Sequence, residues 1–112
     1  MEIDIKTVEG IKVVELSGEV DASTAPEVQK QILPLAEPGS KILMDMTQVQ
    51  YMSSAGLRML LSMYRQTQGK EGKLVLVGLS EELQDRMSVV TGFLEFFTVS
   101  DTVDAGLTAL KS

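Results

Sequence analysis

Two adjacent hydroxyls, Ser53 and Ser54, stand between the apolar run Lys41 to Met46 and the helically spaced Leu57, Leu60, Leu61 and Tyr64. A hydroxyl at such a strand-to-helix corner can cap the helix or accept a phosphoryl group. The first helical turn leaves backbone N–H groups unpaired and carries partial positive charge, so it tolerates a phosphate without melting. Serine is among the best N-cap residues, worth about 1 kcal/mol there. Ser53 is placed to cap, which leaves the hydroxyl of Ser54 free in the first turn. Upstream, Glu19 and Asp21 are either solvated strand-end charges or, for Asp21, the start of an Asx-turn toward Ser23.

Other chemistry is poorly served. The chain has no histidine, which removes Ser-His-Asp acyl transfer and nearly all catalytic zinc and non-haem iron sites. Met52-Ser53-Ser54-Ala55-Gly56 has glycine on one side only and is not a nucleophile elbow. Asp45 sits in an apolar strand as a receiver phospho-aspartate would, but neither terminal strand ends in the paired acids a Mg²⁺ site needs, so it reads as a strand-end or turn residue. A non-enzymatic protein with no metal and no cofactor is expected.

The elements that must position these residues follow from periodicity. Glu2 to Val8 and Ile11 to Ser17 alternate around Glu9-Gly10 and predict a hairpin. Thr24-Ala25-Pro26-Glu27 fits a capping box opening a helix with Val28, Ile32 and Leu35 on one face, which Pro34 ends or kinks. Lys41 to Met46 is a strand, Ser54 to Thr67 a helix and Leu74 to Val77 a strand. Ser80 opens a helix with Glu81 and Glu82 in its first turn, and Gly92 follows its last periodic residue, Val90. Phe96 to Val99 is a candidate edge strand, and Ser100 or Asp101 caps a last helix burying Val103, Leu107 and Leu110. The pattern predicts an α/β fold: a mixed four- to five-stranded sheet with right-handed crossovers and about four helices mainly on one face. Helical spacing sets Met59 nearly opposite Leu57 and Leu61 and turns Met63 partly outward. Met59 is thus either core or an adaptable apolar contact beside Ser54, and Met87 and Phe93 carry the same two readings.

At 112 residues and 44% hydrophobic content, one domain over 1–112 can fill a modest core without metal or disulfide, and there is no cysteine. No signal-like or membrane-length apolar run occurs, which predicts a cytoplasmic protein without direct membrane insertion. A net charge of −6 with no basic run argues against nucleic acid as a partner.

Ser53-Ser54-Ala55-Gly56-Leu57 resembles the corner of STAS domains, specifically the single-domain anti-sigma-factor antagonists, where it usually reads Asp-Ser-Ser/Thr-Gly-Leu. Ser17-Gly18-Glu19-Val20-Asp21 resembles the same family's Gly-Glu-Leu/Val-Asp segment, and the element order agrees over nearly the whole chain. The register places Ser54 on the phosphoacceptor serine, with Ser53 second to it. Ser53 stands where aspartate is common, and Ala55 replaces the second hydroxyl. The resemblance implies a partner surface of Glu19, Asp21, Ser53, Ser54, Ala55, Gly56 and Leu57, to which the outward reading adds Met59.

What the resemblance implies about function is a phosphoprotein that switches partners in transcription regulation and stress response. Unphosphorylated, it would bind an anti-sigma factor, a serine kinase of the histidine-kinase-like ATPase fold, and so release the sigma factor. Phosphorylation on Ser54 would abolish binding, and a PP2C-type serine phosphatase would reverse it. The alternative within the fold is a STAS binding subunit of a lipid-transport or stress-sensing complex without sigma-factor control.

Overall fold

The computed structural model describes residues 1–89 and 98–111. Five strands form one sheet in the order β1-β2-β3-β4-β5. They are β1 (Glu2–Val8), β2 (Ile11–Val20), β3 (Lys41–Met52), β4 (Lys73–Val77) and β5 (Thr98–Ser100). β1 runs antiparallel to β2, whereas β2, β3, β4 and β5 are mutually parallel. The expected hairpin turns at Glu9-Gly10, both at positive φ (51° and 82°), where glycine carries no steric penalty.

Four helices complete the described fold: α1 (Ala25–Ile32), α2 (Ser54–Gly69), α3 (Glu81–Val89) and α4 (Val103–Lys111). The inner strands are buried on both faces, as parallel strands under crossover helices must be. Val14, Leu16, Ile42, Met44, Leu74 and Leu76 pack with Val28 and Ile32 of α1, Leu57, Leu60 and Met63 of α2, and Leu83 and Met87 of α3. The alternate residues Ile11, Val13, Leu43, Val75 and Val77 pack on the other face with Leu110 of α4. Three helices thus share one face and α4 takes the opposite one.

Several local expectations need correction. β3 does not end at Met46 but continues to Met52. Its register against β2 shifts between Glu15 and Ser17 and again between Gly18 and Glu19. These bulges absorb extra residues while Val49 and Met52 stay buried. Asp45 serves the first shift, its carboxylate accepting from the amide (3.0 Å) and hydroxyl (2.5 Å) of Thr47. The capping box at Thr24 does not form: Thr24 is the N-cap residue but makes no side-chain cap bond. Its hydroxyl donates instead to the carbonyl of Glu19 at 2.8 Å. Pro34 ends α1 at Ile32 and leaves a 3₁₀ turn over Leu33–Leu35.

The buried arc of α2 comprises Gly56, Leu57, Met59, Leu60, Met63 and Thr67, while Leu61 and Tyr64 are only half-buried. The arc is rotated because α2 is wedged between the sheet and α1, so Met63 is wholly buried rather than turned outward. Met87 is core as well. Thr102, not Ser100 or Asp101, caps α4, its hydroxyl accepting from the amide of Ala105 at 3.1 Å. The residues Val90, Gly92, Phe93, Phe96 and Phe97 lie outside the described residues.

Candidate functional site

The ends of β2 and β3 lie side by side, with Glu19 opposite Tyr51 and Val20 opposite Met52. One further residue along each strand brings in Asp21 and Ser53, and the amide of Ser53 donates to the carbonyl of Val20 at 2.8 Å. Ser53 takes an extended conformation (φ −80°, ψ 175°) as the N-cap of α2. Its hydroxyl accepts a long bond, 3.4 Å, from the amide of Gly56, and its carbonyl accepts from the amide of Leu57 at 3.0 Å. The hydroxyl of Ser53 is thus committed to the helix start.

Ser54 is the first residue of α2 and is exposed. Its side chain makes no hydrogen bond among the described residues. Gly56 is what allows the corner to seat this low: a Cβ there would stand 2.6 Å from Cγ of Met52 and 2.9 Å from both Cγ1 and the carbonyl oxygen of Val20. Only a residue without Cβ lets the helix start rest on β2. Leu57, 7% exposed, anchors the same turn in the core.

The acidic loop is built around one carboxylate oxygen. Oδ1 of Asp21 accepts from the amide (2.9 Å) and hydroxyl (2.7 Å) of Ser23 and from the amide (3.0 Å) and hydroxyl (3.3 Å) of Thr24. The Asx-turn toward Ser23 is therefore formed. The Ser23 hydroxyl, followed by the Thr24 and Ser23 amides, holds the Asp21 carboxyl below its ordinary range. Glu19 is exposed, and it contributes to the loop through its backbone carbonyl.

Met59 is 4% exposed, so it is a core residue and not an outward contact. It still forms part of the floor of a groove between α1 and α2 of about 320 Å³, with Ala25 and Pro26 on one wall and Ala55 and Arg58 on the other. Nothing in the sequence alone marks Arg58, although its place four residues after Ser54 puts both on one helix face. No group of three or more acidic, cysteine or histidine side chains suited to a metal ion occurs among the described residues. No described helix is long and apolar enough to cross a membrane.

A capped corner that presents a second serine beside an acidic turn, on a sheet with a single antiparallel edge, defines the class. The chain belongs to the STAS domain family, whose model matches residues 2–106. It is 30% identical over 105 residues to the anti-sigma-B factor antagonist of Bacillus subtilis, covering 94% of this chain and 95% of that one. A crystal structure of an anti-sigma factor antagonist from Mycobacterium paratuberculosis is 26% identical, with a TM-score of 0.83 over 99% of this chain and 94% of that one. The Thermotoga maritima protein TM1081 superposes with a TM-score of 0.90 over 98% of this chain and 95% of that one, and at 17% identity this is a likeness of fold. Anti-sigma factor antagonists of this family are generally binding proteins rather than enzymes.

Proposed function

We propose that this protein is an anti-sigma factor antagonist whose binding is controlled by phosphorylation of Ser54. The observation that carries the proposal is the unequal use of the two serines: Ser53 is spent on the cap, while Ser54 is exposed with its hydroxyl unengaged among the described residues. The unphosphorylated corner, with Glu19, Asp21, Ala55, Gly56 and Leu57 around it, binds an anti-sigma factor that is also a serine kinase of the histidine-kinase-like ATPase fold. Binding frees the sigma factor. The STAS domain spans 1–112, acts in the cytoplasm and is a substrate of the kinase rather than an enzyme.

A phosphoryl group on Ser54 adds about −1.5 to −2 charge at neutral pH. Placed in a close interface near Asp21 and Glu19, it brings repulsion and desolvation. A hundredfold loss of affinity needs only about 2.7 kcal/mol, well within reach of one unpaired phosphate in an interface. The helix start tolerates the charge, because its free amides and dipole favour an anion. A PP2C-type phosphatase resets the switch.

The test is transfer of labelled phosphate from ATP by the anti-sigma kinase of the same cell, together with calorimetric binding to that kinase. Ser54→Ala should take up no label and should bind at any ATP concentration, whereas Ser54→Asp should bind at least tenfold more weakly than the parent. Undiminished labelling of Ser54→Ala, or tight binding by Ser54→Asp, overturns the assignment.

A further inference from the structure

β1 is the outermost strand of the sheet, and no described strand pairs with its outer edge. Its side chains alternate. Val8 packs toward the α4 side, which places Glu2, Asp4 and Lys6 on that face, while Ile3 packs toward the α1 and α2 side and shares its face with Ile5. Ile5 is 36% exposed. Asp4 lies directly opposite Glu15 of β2, a like-charge pair. Lys6 reaches diagonally to Glu15 at 2.8 Å, which leaves Asp4 with no ion pair among the described residues.

We propose that this edge pairs antiparallel with β1 of a second copy of the chain, across a two-fold axis at Ile5. In that register Asp4 faces Lys6 of the second copy, Lys6 faces its Asp4, Ile5 faces Ile5 and Ile3 faces Thr7. Each lysine then bridges its own Glu15 and the incoming Asp4, so the orphaned carboxylate gains its cation. A two-residue slip in one direction sets Asp4 against Asp4, and in the other Lys6 against Lys6. A one-residue slip mismatches the two faces of the sheet. Charges on an edge strand ordinarily deter pairing. Here they deter foreign strands and shifted registers while complementing the two-fold arrangement. One strand pair buries less than the roughly 1,600 Å² of a standard interface, so the dimer is weak.

Sedimentation equilibrium at low salt, over about 10 μM to 1 mM, a range suited to weak association, tests this with Asp4→Lys and Lys6→Asp. The parent should show reversible dimerisation that high salt weakens. Each variant alone should associate at least tenfold more weakly, because both cross-strand charge pairs become repulsive. An equimolar mixture of the two variants should dimerise again, which also shows that both are folded. A parent that stays monomeric throughout, single variants that dimerise like the parent, or a mixture that stays monomeric each overturns the proposal. None of these outcomes depends on whether Ser54 is phosphorylated.

Discussion

The Ser53 amide donates to the Val20 carbonyl at 2.8 Å, and this bond fixes the start of the helix carrying Ser54 to the end of the strand that leads into Asp21. Two segments more than thirty residues apart are thereby held as one surface. Anything that lifts the helix start from β2 should damage that surface together with the fold.

Gly56→Ala supplies such a disturbance. The new methyl would stand 2.9 Å from the Val20 carbonyl oxygen, which is backbone and cannot swing aside. Overpacking of this kind costs about 1–3 kcal/mol. Urea unfolding should show that loss, and binding to the anti-sigma kinase should weaken even though Ser54 is intact.

Ser53→Ala and Ser54→Ala should separate structure from switching. Loss of the Ser53 cap should cost about 0.5–1 kcal/mol, toward the low end because the bond to Gly56 is long. Ser54→Ala removes an exposed hydroxyl and should change stability by less than about 0.5 kcal/mol. Thermal melts of the pair, set beside kinase labelling, would show one variant weakened but labelled and the other stable but unlabelled.

Within α2, Met63→Ala should cost about 2–5 kcal/mol, because Met63 is fully buried, and Leu61→Ala clearly less, because Leu61 is half-buried. Equal costs in denaturant would mean that the helix is rotated from the orientation described.

Asp21 ties stability to pH. Its carboxyl is held below the ordinary range by the Ser23 hydroxyl and the Thr24 and Ser23 amides. The stabilisation is therefore fully present above the unfolded value of about 3.9 and is lost as pH falls through the lower native pKa. Asp21→Asn should be less stable than the parent at neutral pH, and the gap should close under acid. A gap that persists below pH 3 would mean that the loop depends on shape and not on charge.

Much of the fold was legible in the sequence because most elements carry an apolar period of their own. Alternation marked β1 and β2, the continuous apolar run marked the inner strands, and the Glu9-Gly10 turn fell where positive φ was required. The last six residues of β3 are not legible as strand, because two register shifts break their alternation and Thr47, Gln48 and Gln50 look like loop. The α2 stripe is not legible from periodicity alone, because a helix packed against both a sheet and α1 buries more than one apolar face. At the site, Ser53 as cap and the Asp21 turn were legible from local hydrogen-bonding chemistry. The groove beside Arg58 and Met59 was not, because small residues such as Ala25, Pro26 and Ala55 carry no chemical signal and only the packing of α1 on α2 brings them together.

Neighbouring hydroxyls with separate duties have a further consequence. The half-buried Ser53 holds the helix start through its cap, whereas the hydroxyl of Ser54 holds no described part of the fold. If Ser54 is the proposed phosphoacceptor, its mark should be written and erased without disturbing the fold beneath it. The proposed signal would then reside wholly on the surface, and the scaffold would bear no wear from it.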